Sequence, residues 1–452
     1  MVNISNNNLR VSSFIIPVKV DENRYMLLHG YSGAIELVDE NIYKILSGKV
    51  DFNCHLIDNE TLEHLVKRGF ITSYSYSEEL ERQNKFATLL HRRDTLLSSS
   101  YTIVVTYKCN FRCPYCFEKQ SVHSLNQEQT MSREMVDKVF INIDRLQSKK
   151  ARKTNFVTLF GGEPLLRENK DIVSYIVRKG MEYGLKFKAI TNGYDLDYFS
   201  DLLSLDKICA LQITIDGMAC VHNKKRLHYL GLPTFDTIIK NVGIALDKGI
   251  YVTIRVNTDK NNFNQLAELK SLFDSLGYIR NTKFRLDSAR LMNFDDDLDE
   301  KQKGTFMTQQ EFINAHDNKN QEFECHDYET YSNIYHSILN NEPLAYRSTF
   351  CGSQVGGCVF DPLYKIYPCW DLVGNQEYQI GDYSGSTIVW DEKRRRMWSS
   401  TNVTSYVSCK GCKCALFCGG GCMAHNFNQH HCTHMMDIIK YATKRAYAKF
   451  NL

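Results

Sequence analysis

Between Tyr101 and Asp287 the chain alternates short apolar runs with longer stretches of helical period. YTIVVT (101–106), FVTLF (156–160), KFKAI (186–190), ALQITI (210–215), YVTIRV (251–256) and KFRLD (283–287) read as strands. In TFDTIIKNVGIALDKG (234–249), Phe235, Ile238, Ile239, Val242 and Leu246 fall on one helical face suited to packing on a sheet. Six such units predict an α/β fold, a parallel sheet curled into a partial (β/α)6 barrel, with chemistry at the C-terminal strand ends.

The pattern differs on either side. Residues 1–95 read as a small α+β unit: SFIIPV (13–18), RYMLLH (24–29) and GAIELV (33–38) are strand-like, and DENIYKIL (39–46) and ETLEHLVKRG (60–69) helix-like. A charged linker helix is expected over 77–94. Residues 96–320 carry the barrel, and 321–452 form a bridge, helical at 328–339, into a cysteine-rich region with few long elements.

Composition narrows the classes. A net charge of +3 gives no footing for a nucleic-acid partner. MVNISNNNLR lacks the apolar core of a signal peptide, and no run approaches a membrane span, so a cytoplasmic protein is expected. In that compartment thiols stay reduced, which turns the sixteen cysteines toward metal binding or catalysis. Nine lie between Cys351 and Cys432 and three at 109–116; Cys54, Cys209, Cys220 and Cys325 are scattered and read as small buried hydrophobes or incidental thiols.

CNFRCPYCFE (109–118) follows the first barrel strand. Cys109, Cys113 and Cys116 can hold three irons of a [4Fe–4S] cluster and leave the fourth iron without a protein ligand. Zinc is the rival, although a structural zinc site takes four ligands. With Tyr115 before the third cysteine, the loop resembles the signature of radical S-adenosylmethionine enzymes. That resemblance implies that the amino and carboxylate groups of S-adenosylmethionine chelate the open iron. One electron then cleaves the sulfonium to a 5′-deoxyadenosyl radical, which takes hydrogen from a substrate.

The same resemblance gives roles to later strand ends. FGGEP (160–164) brings Gly161 and Gly162, which permit close backbone approach, and Glu163, implied to accept from the cofactor's ammonium. TNG supplies Thr191 and Asn192, and QITIDG (212–217) with HNKKR (222–226) supplies Thr214 for the ribose region and Arg226 for the carboxylate. Arg255 or Asn257, in IRVN, could also reach the cofactor. Taken without the resemblance, these are a strand-exposed threonine, a surface arginine and a capped strand end.

The tail runs Cys351-x6-Cys358-x10-Cys369, then Cys409-x2-Cys412-x5-Cys418-x3-Cys422, then Cys432. Eight thiolates suffice for two further [4Fe–4S] clusters, and the spacing resembles the SPASM domain of peptide-modifying radical enzymes. By that resemblance Cys351, Cys358, Cys369 and Cys422 hold one auxiliary cluster, and Cys409, Cys412, Cys418 and Cys432 the other. Taken alone, CKGC is equally a zinc half-site. Tyr364 stands where the family usually has glycine, and Cys414 is an extra thiol with no assigned work. Asp371, two residues after Cys369, stands near the place where sulfatase-maturating relatives keep a catalytic base, but at a different offset, so a structural or solvent-exposed role is its other reading.

Together these features imply a radical oxidoreductase with S-adenosylmethionine and three [4Fe–4S] clusters. It would oxidatively cross-link residues of a ribosomally made precursor peptide through a thioether, carbon–carbon or carbon–oxygen bond. Residues 1–95 resemble the PqqD-like domain that captures a leader peptide by strand addition, or else serve as a scaffold or dimerisation unit. The implied partners are that precursor peptide and an electron donor such as flavodoxin or ferredoxin, with no membrane. The alternative is anaerobic sulfatase maturation by formylglycine formation.

Overall fold

The computed structural model describes residues 9–98, 100–118, 129–292, 304–318, 324–325, 330–425, 432 and 435–450. The side chain of Cys325 and the start of the predicted 328–339 helix lie outside the described residues. The chain forms two compact units, one of 1–94, 327–354 and 401–452, the other of 95–326 and 355–400.

In the first unit, β1 (Arg10–Val11) pairs with β5 (Ile71–Thr72), and an antiparallel sheet runs β2 (Ile15–Lys19), β3 (Arg24–His29), β4 (Ile35–Asp39). Helices Glu40–Leu46 and Asn59–Arg68 begin where Asp39 and Asp58 accept from the N–H groups of Ile42 and Thr61, satisfying donors that a first turn leaves unpaired. The second cap lies two residues ahead of the predicted start. Ile15, Leu27, Ile45, Leu62 and Phe70 form the core beneath. Of the C-terminal residues in this unit, helix Thr330–Leu339 packs on a 16-residue helix, Met435–Phe450, which sequence periodicity did not single out.

The second unit is built on an eleven-stranded mixed sheet. All six predicted strands are present: β6 (Tyr101–Thr106), β7 (Phe156–Gly161), β8 (Lys186–Thr191), β9 (Ile208–Thr214), β10 (Tyr251–Thr258) and β11 (Phe284–Arg290), paired in parallel in chain order. Beyond β11 lies β12 (Glu324–Cys325). The other edge continues in a way the sequence did not announce. Strand β13 (Cys358–Phe360) pairs in parallel with β6, and β14 (Lys365–Tyr367), β15 (Gly381–Asp382) and β16 (Val389–Trp390) follow antiparallel.

Helices Arg133–Gln147, Lys170–Glu182, Phe235–Asp247 and Leu266–Ser275 bury their apolar faces. Phe140 meets Phe187 of β8 edge-on at 6.3 Å between ring centroids, and Phe235, Ile238, Val242 and Leu246 are buried as the periodicity predicts, while Ile239 is only half-buried. Each such side chain withdrawn from water contributes about 1.5–3 kcal/mol. No described helix is long and apolar enough to cross a membrane.

Candidate active site

The cysteine loop leaves the C-terminal end of β6. Its backbone is clamped by residues 227–229: Arg112 N–H donates to Leu227 O at 2.6 Å, and Tyr229 N–H donates to Asn110 O at 2.9 Å. Asn192 Nδ2 donates to Asn110 Oδ1 at 2.7 Å, tying the loop to the end of β8. Burial raises the pKa of all three thiols; that of Cys116 reaches about 12, with Glu118 and Cys113 adding to the effect. Thiols so placed stay protonated until a positive centre displaces the protons.

Gly161 and Gly162 press the next loop against this one. Gly161 adopts φ +132°, and a methyl on Gly162 would lie 2.6 Å from Tyr107 O and closer still to Lys108 O. The contact is sealed by Gly162 N–H to Thr106 O at 3.0 Å and Glu163 N–H to Lys108 O at 2.8 Å. The Glu163 carboxyl is 1% exposed and accepts from Leu165 N–H (2.9 Å), Thr191 Oγ1 (2.6 Å) and Asn192 N–H (2.6 Å). Burial pushes its pKa up to about 7 against the pull of those donors. Glu163, Thr191 and Asn192 are therefore brought together, with the glutamate bracing both loops.

A second group gathers at the ends of β9 and β10. Tyr115 donates its hydroxyl to Asp216, which also accepts Asn257 N–H at 3.0 Å. Arg226 Nη1 approaches Tyr115 Oη at 3.4 Å, and its guanidinium lies 5.4 Å from the centre of the Phe111 ring. Thr214 is buried and stands opposite Arg255 in the β9–β10 register; Arg255 Nε donates to Asn257 Oδ1 at 3.1 Å. Sequence reasoning missed Asp216, although it lies inside the quoted QITIDG, and missed Asn110, which offers no motif signal.

Asp371 comes into the same mouth. Burial pushes its carboxyl up to about 6, opposed by the charge of Arg255. Glu118, also unanticipated, is 7% exposed and raised to about 8 by burial and then by Asp371 and Glu163. Beside them Phe160 stacks with Phe117 at 6.3 Å and with Trp370 at 5.6 Å. Two carboxyls of unlike affinity for protons thus each follow a partly exposed ring of this stack in the chain, Glu118 after Phe117 and Asp371 after Trp370.

Residues 103–272 match the radical SAM superfamily. The chain contains a radical SAM domain. Two curated relatives align with part of it. One is the radical SAM cyclopropyl synthase TigE of Paramaledivibacter caminithermalis, 26% identical over 192 residues, covering 37% of this chain and 40% of that protein. The other is the GTP 3′,8-cyclase of Campylobacter fetus, 28% identical over 171 residues, covering 37% and 49%. The chain thus spans less than half the length of either relative. Among solved structures, native anSMEcpe with bound AdoMet superposes with a TM-score of 0.58 at 16% identity, covering 78% of this chain and 100% of that one. Streptococcus suis SuiB bound to its precursor peptide SuiA gives 0.51 at 12% identity, covering 94% and 99%. At these identities the likeness is one of fold.

The radical SAM superfamily implies S-adenosylmethionine and a [4Fe–4S] cluster, and the residues present fit both. The charge of Cys113 acts on both Cys109 and Cys116, which places three sulfur donors in one small region of the loop. Arg226 Nε is buried without a hydrogen-bond partner, and its charge acts on Cys113. An orphaned cationic donor beside the cysteine loop suits a carboxylate-bearing ligand.

Of the tail cysteines, Cys358 on β13 and Cys369 after β14 belong to the sheet-bearing unit, and Cys351, Cys409, Cys412, Cys418, Cys422 and Cys432 to the other. Burial and then the charges of Cys418, Cys412 and, more weakly, Cys432 raise the Cys409 thiol to about 12, so these four sulfurs are neighbours. Cys414, given no work by the sequence, is buried and donates its thiol to Cys412, favouring the Cys412 thiolate. Among the scattered thiols Cys209 is buried, whereas Cys220 is exposed and is no core residue.

Proposed function

We propose that this chain is a radical SAM oxidoreductase that modifies a peptide, forming an oxidative cross-link within a ribosomally made precursor. The observation that carries this reading is the sheet itself: β13, which opens at Cys358 opposite Tyr101, pairs in parallel with β6, so a tail cysteine stands at the start of the strand whose other end carries the cysteine loop. A net two-electron oxidation leaves one electron to remove, and tail cysteines loaded with auxiliary [4Fe–4S] clusters would supply its acceptor.

When bound, S-adenosylmethionine and the loop's cluster supply the one-electron chemistry that removes hydrogen from a substrate C–H bond. Arg226 holds the cofactor's carboxylate by its unpartnered donor. Thr214, Arg255 and Asn257 line the strand ends beside it, and Glu163 keeps the loops closed. Asp371, raised only to about 6, is the carboxyl able to take a proton from the substrate as its new bond forms, whereas Glu118, raised to about 8, holds its own proton near neutral pH.

A peptide substrate is supported by the first unit. Strand β4 is an edge of its sheet and carries Leu37 at 45% exposure, which suits a leader peptide added as a further strand. Fold neighbours were seen with peptides: SuiB with SuiA, and anSMEcpe with the Cp18Cys peptide. Formylglycine formation remains the second reading, favoured by Asp371 in the mouth.

Iron and labile sulfide per chain, measured after anaerobic reconstitution, test the proposal. About twelve of each are expected, with about eight retained in Cys113→Ala together with loss of cofactor cleavage. About four of each in the unaltered protein would remove the electron acceptors and the oxidative reading with them.

A further inference from the structure

Asp216 is 0% exposed and uses every polar group it has. One carboxyl oxygen takes the Tyr115 hydroxyl, and the other takes Asn257 N–H at 3.0 Å. Its backbone N–H donates to His222 Nδ1 at 3.2 Å, and its carbonyl accepts from Asn262 Nδ2 at 3.0 Å. The backbone is thus nailed down from two sides, and the carboxylate becomes a fixed anchor. What it anchors is unusual. Tyr115 lies between Cys113 and Cys116, and its phenol oxygen also meets Arg226 Nη1 at 3.4 Å and Asn257 Nδ2 at 3.5 Å. One buried carboxylate therefore links the cysteine loop, the guanidinium with the orphaned Nε, and the end of β10.

We infer that Asp216 is a positioning residue that seats S-adenosylmethionine by fixing Tyr115 and Arg226 relative to the cysteines, an inference that rests on the radical SAM reading above. A carboxylate can accept from the phenol and the amide together. An amide in its place can accept from only one and must point its NH2 at the other, so in Asp216→Asn the Tyr115 hydroxyl loses its anionic acceptor and meets a donor that competes with Arg226 for the phenol oxygen, while size and shape are kept. Tyr115→Phe breaks the same bond from the other end and keeps the ring.

The test uses the reconstituted holoenzyme and S-adenosylmethionine as the probe. Both variants should keep wild-type iron and the wild-type electron paramagnetic resonance signal of the reduced cluster without cofactor. Each should weaken S-adenosylmethionine binding by roughly 10- to 100-fold, the worth of one hydrogen bond to a charged group. The cofactor-induced change in that signal should shrink in both. The double variant should bind no more weakly than either single one, because both remove a single link. Unchanged Kd and an unchanged cofactor-induced signal in Tyr115→Phe and Asp216→Asn would overturn the assignment, as would additive losses in the double variant. If Asp216→Asn fails to fold, Tyr115→Phe decides alone. A wild-type protein with no cluster signal or no cofactor binding would instead overturn the radical SAM reading, and this inference with it.

Discussion

Replacing Gly162 by alanine strikes the place where the cysteine loop meets the loop that follows β7. The added methyl would lie 2.6 Å from Tyr107 O and nearer to Lys108 O, both backbone atoms that no side-chain rotation can move. Carbon and oxygen in contact need about 3.3 Å, so the loops must part by roughly 1 Å. The bonds from Gly162 N–H to Thr106 O (3.0 Å) and from Glu163 N–H to Lys108 O (2.8 Å) would stretch past bonding distance. Each lost buried bond costs about 1–3 kcal/mol, or about 2–6 kcal/mol for the pair. Lys108 precedes Cys109, so the displacement reaches the first cysteine. Trp370, Trp390 and Trp398 are the only tryptophans and all lie in the sheet-bearing unit, which makes fluorescence in urea a reporter of that unit. Gly184→Ala is the control: its φ of +69° imposes left-handed strain, but nothing stands within 4 Å of the new methyl. It should cost about 1–2 kcal/mol. If Gly162→Ala costs no more than Gly184→Ala and still cleaves S-adenosylmethionine, the loops do not meet as described.

Two further outcomes concern buried polar groups. His29 accepts Ser32 N–H at Nδ1 (3.1 Å), its Nε2 faces Ser12 Oγ at 3.1 Å, and burial holds its pKa near 4. Below pH 6.5 the unfolded chain therefore takes up a proton that the folded chain refuses. Stability is lost as pH falls, by about 2 kcal/mol between pH 6.5 and 5, and His29→Gln should flatten that slope in urea titrations followed by far-UV circular dichroism. Equal slopes would show that His29 is not so buried. Asp361→Ala removes the acceptor of the Tyr107 hydroxyl (2.7 Å), Leu363 N–H (3.0 Å) and Lys365 N–H (2.7 Å). A loss of about 3 kcal/mol is expected by tryptophan fluorescence, and a wild-type midpoint would contradict the network.

What could be read from the sequence was whatever is local. The six parallel strands announce themselves by stretches of five or six residues with continuous or alternating apolar positions, and Cys109, Cys113 and Cys116 by spacing, because both signals are complete within a few residues. Strands β13 to β16 are two or three residues long, too short to carry a period, and exist because β6 offers an edge to pair with. Asp216 escaped notice for the same reason: its phenol partner is 101 residues away, and only the folded sheet brings them together.

Tyr364 shows the limit from the other side. Where a glycine is expected, a tyrosine raises doubt about the turn, yet the residue adopts φ +63°, the left-handed conformation a glycine would take. Left-handed backbone costs a residue with a Cβ about 1–2 kcal/mol. Asp361 Oδ1 binds the N–H groups on both sides of it, at Leu363 and Lys365, Tyr364 O accepts Tyr383 N–H at 2.9 Å, and Tyr383 donates its hydroxyl to Asp361 O at 2.5 Å. The tyrosine ring is placed 5.4 Å from that of Tyr383 and 5.1 Å from the Lys138 ammonium. Four hydrogen bonds to one half-buried turn exceed the strain of a single residue, so the geometry is imposed from outside Tyr364 itself. A substitution that breaks a local rule is therefore a pointer to a network, here one centred on Asp361 and reaching Tyr107 at the foot of the cysteine loop.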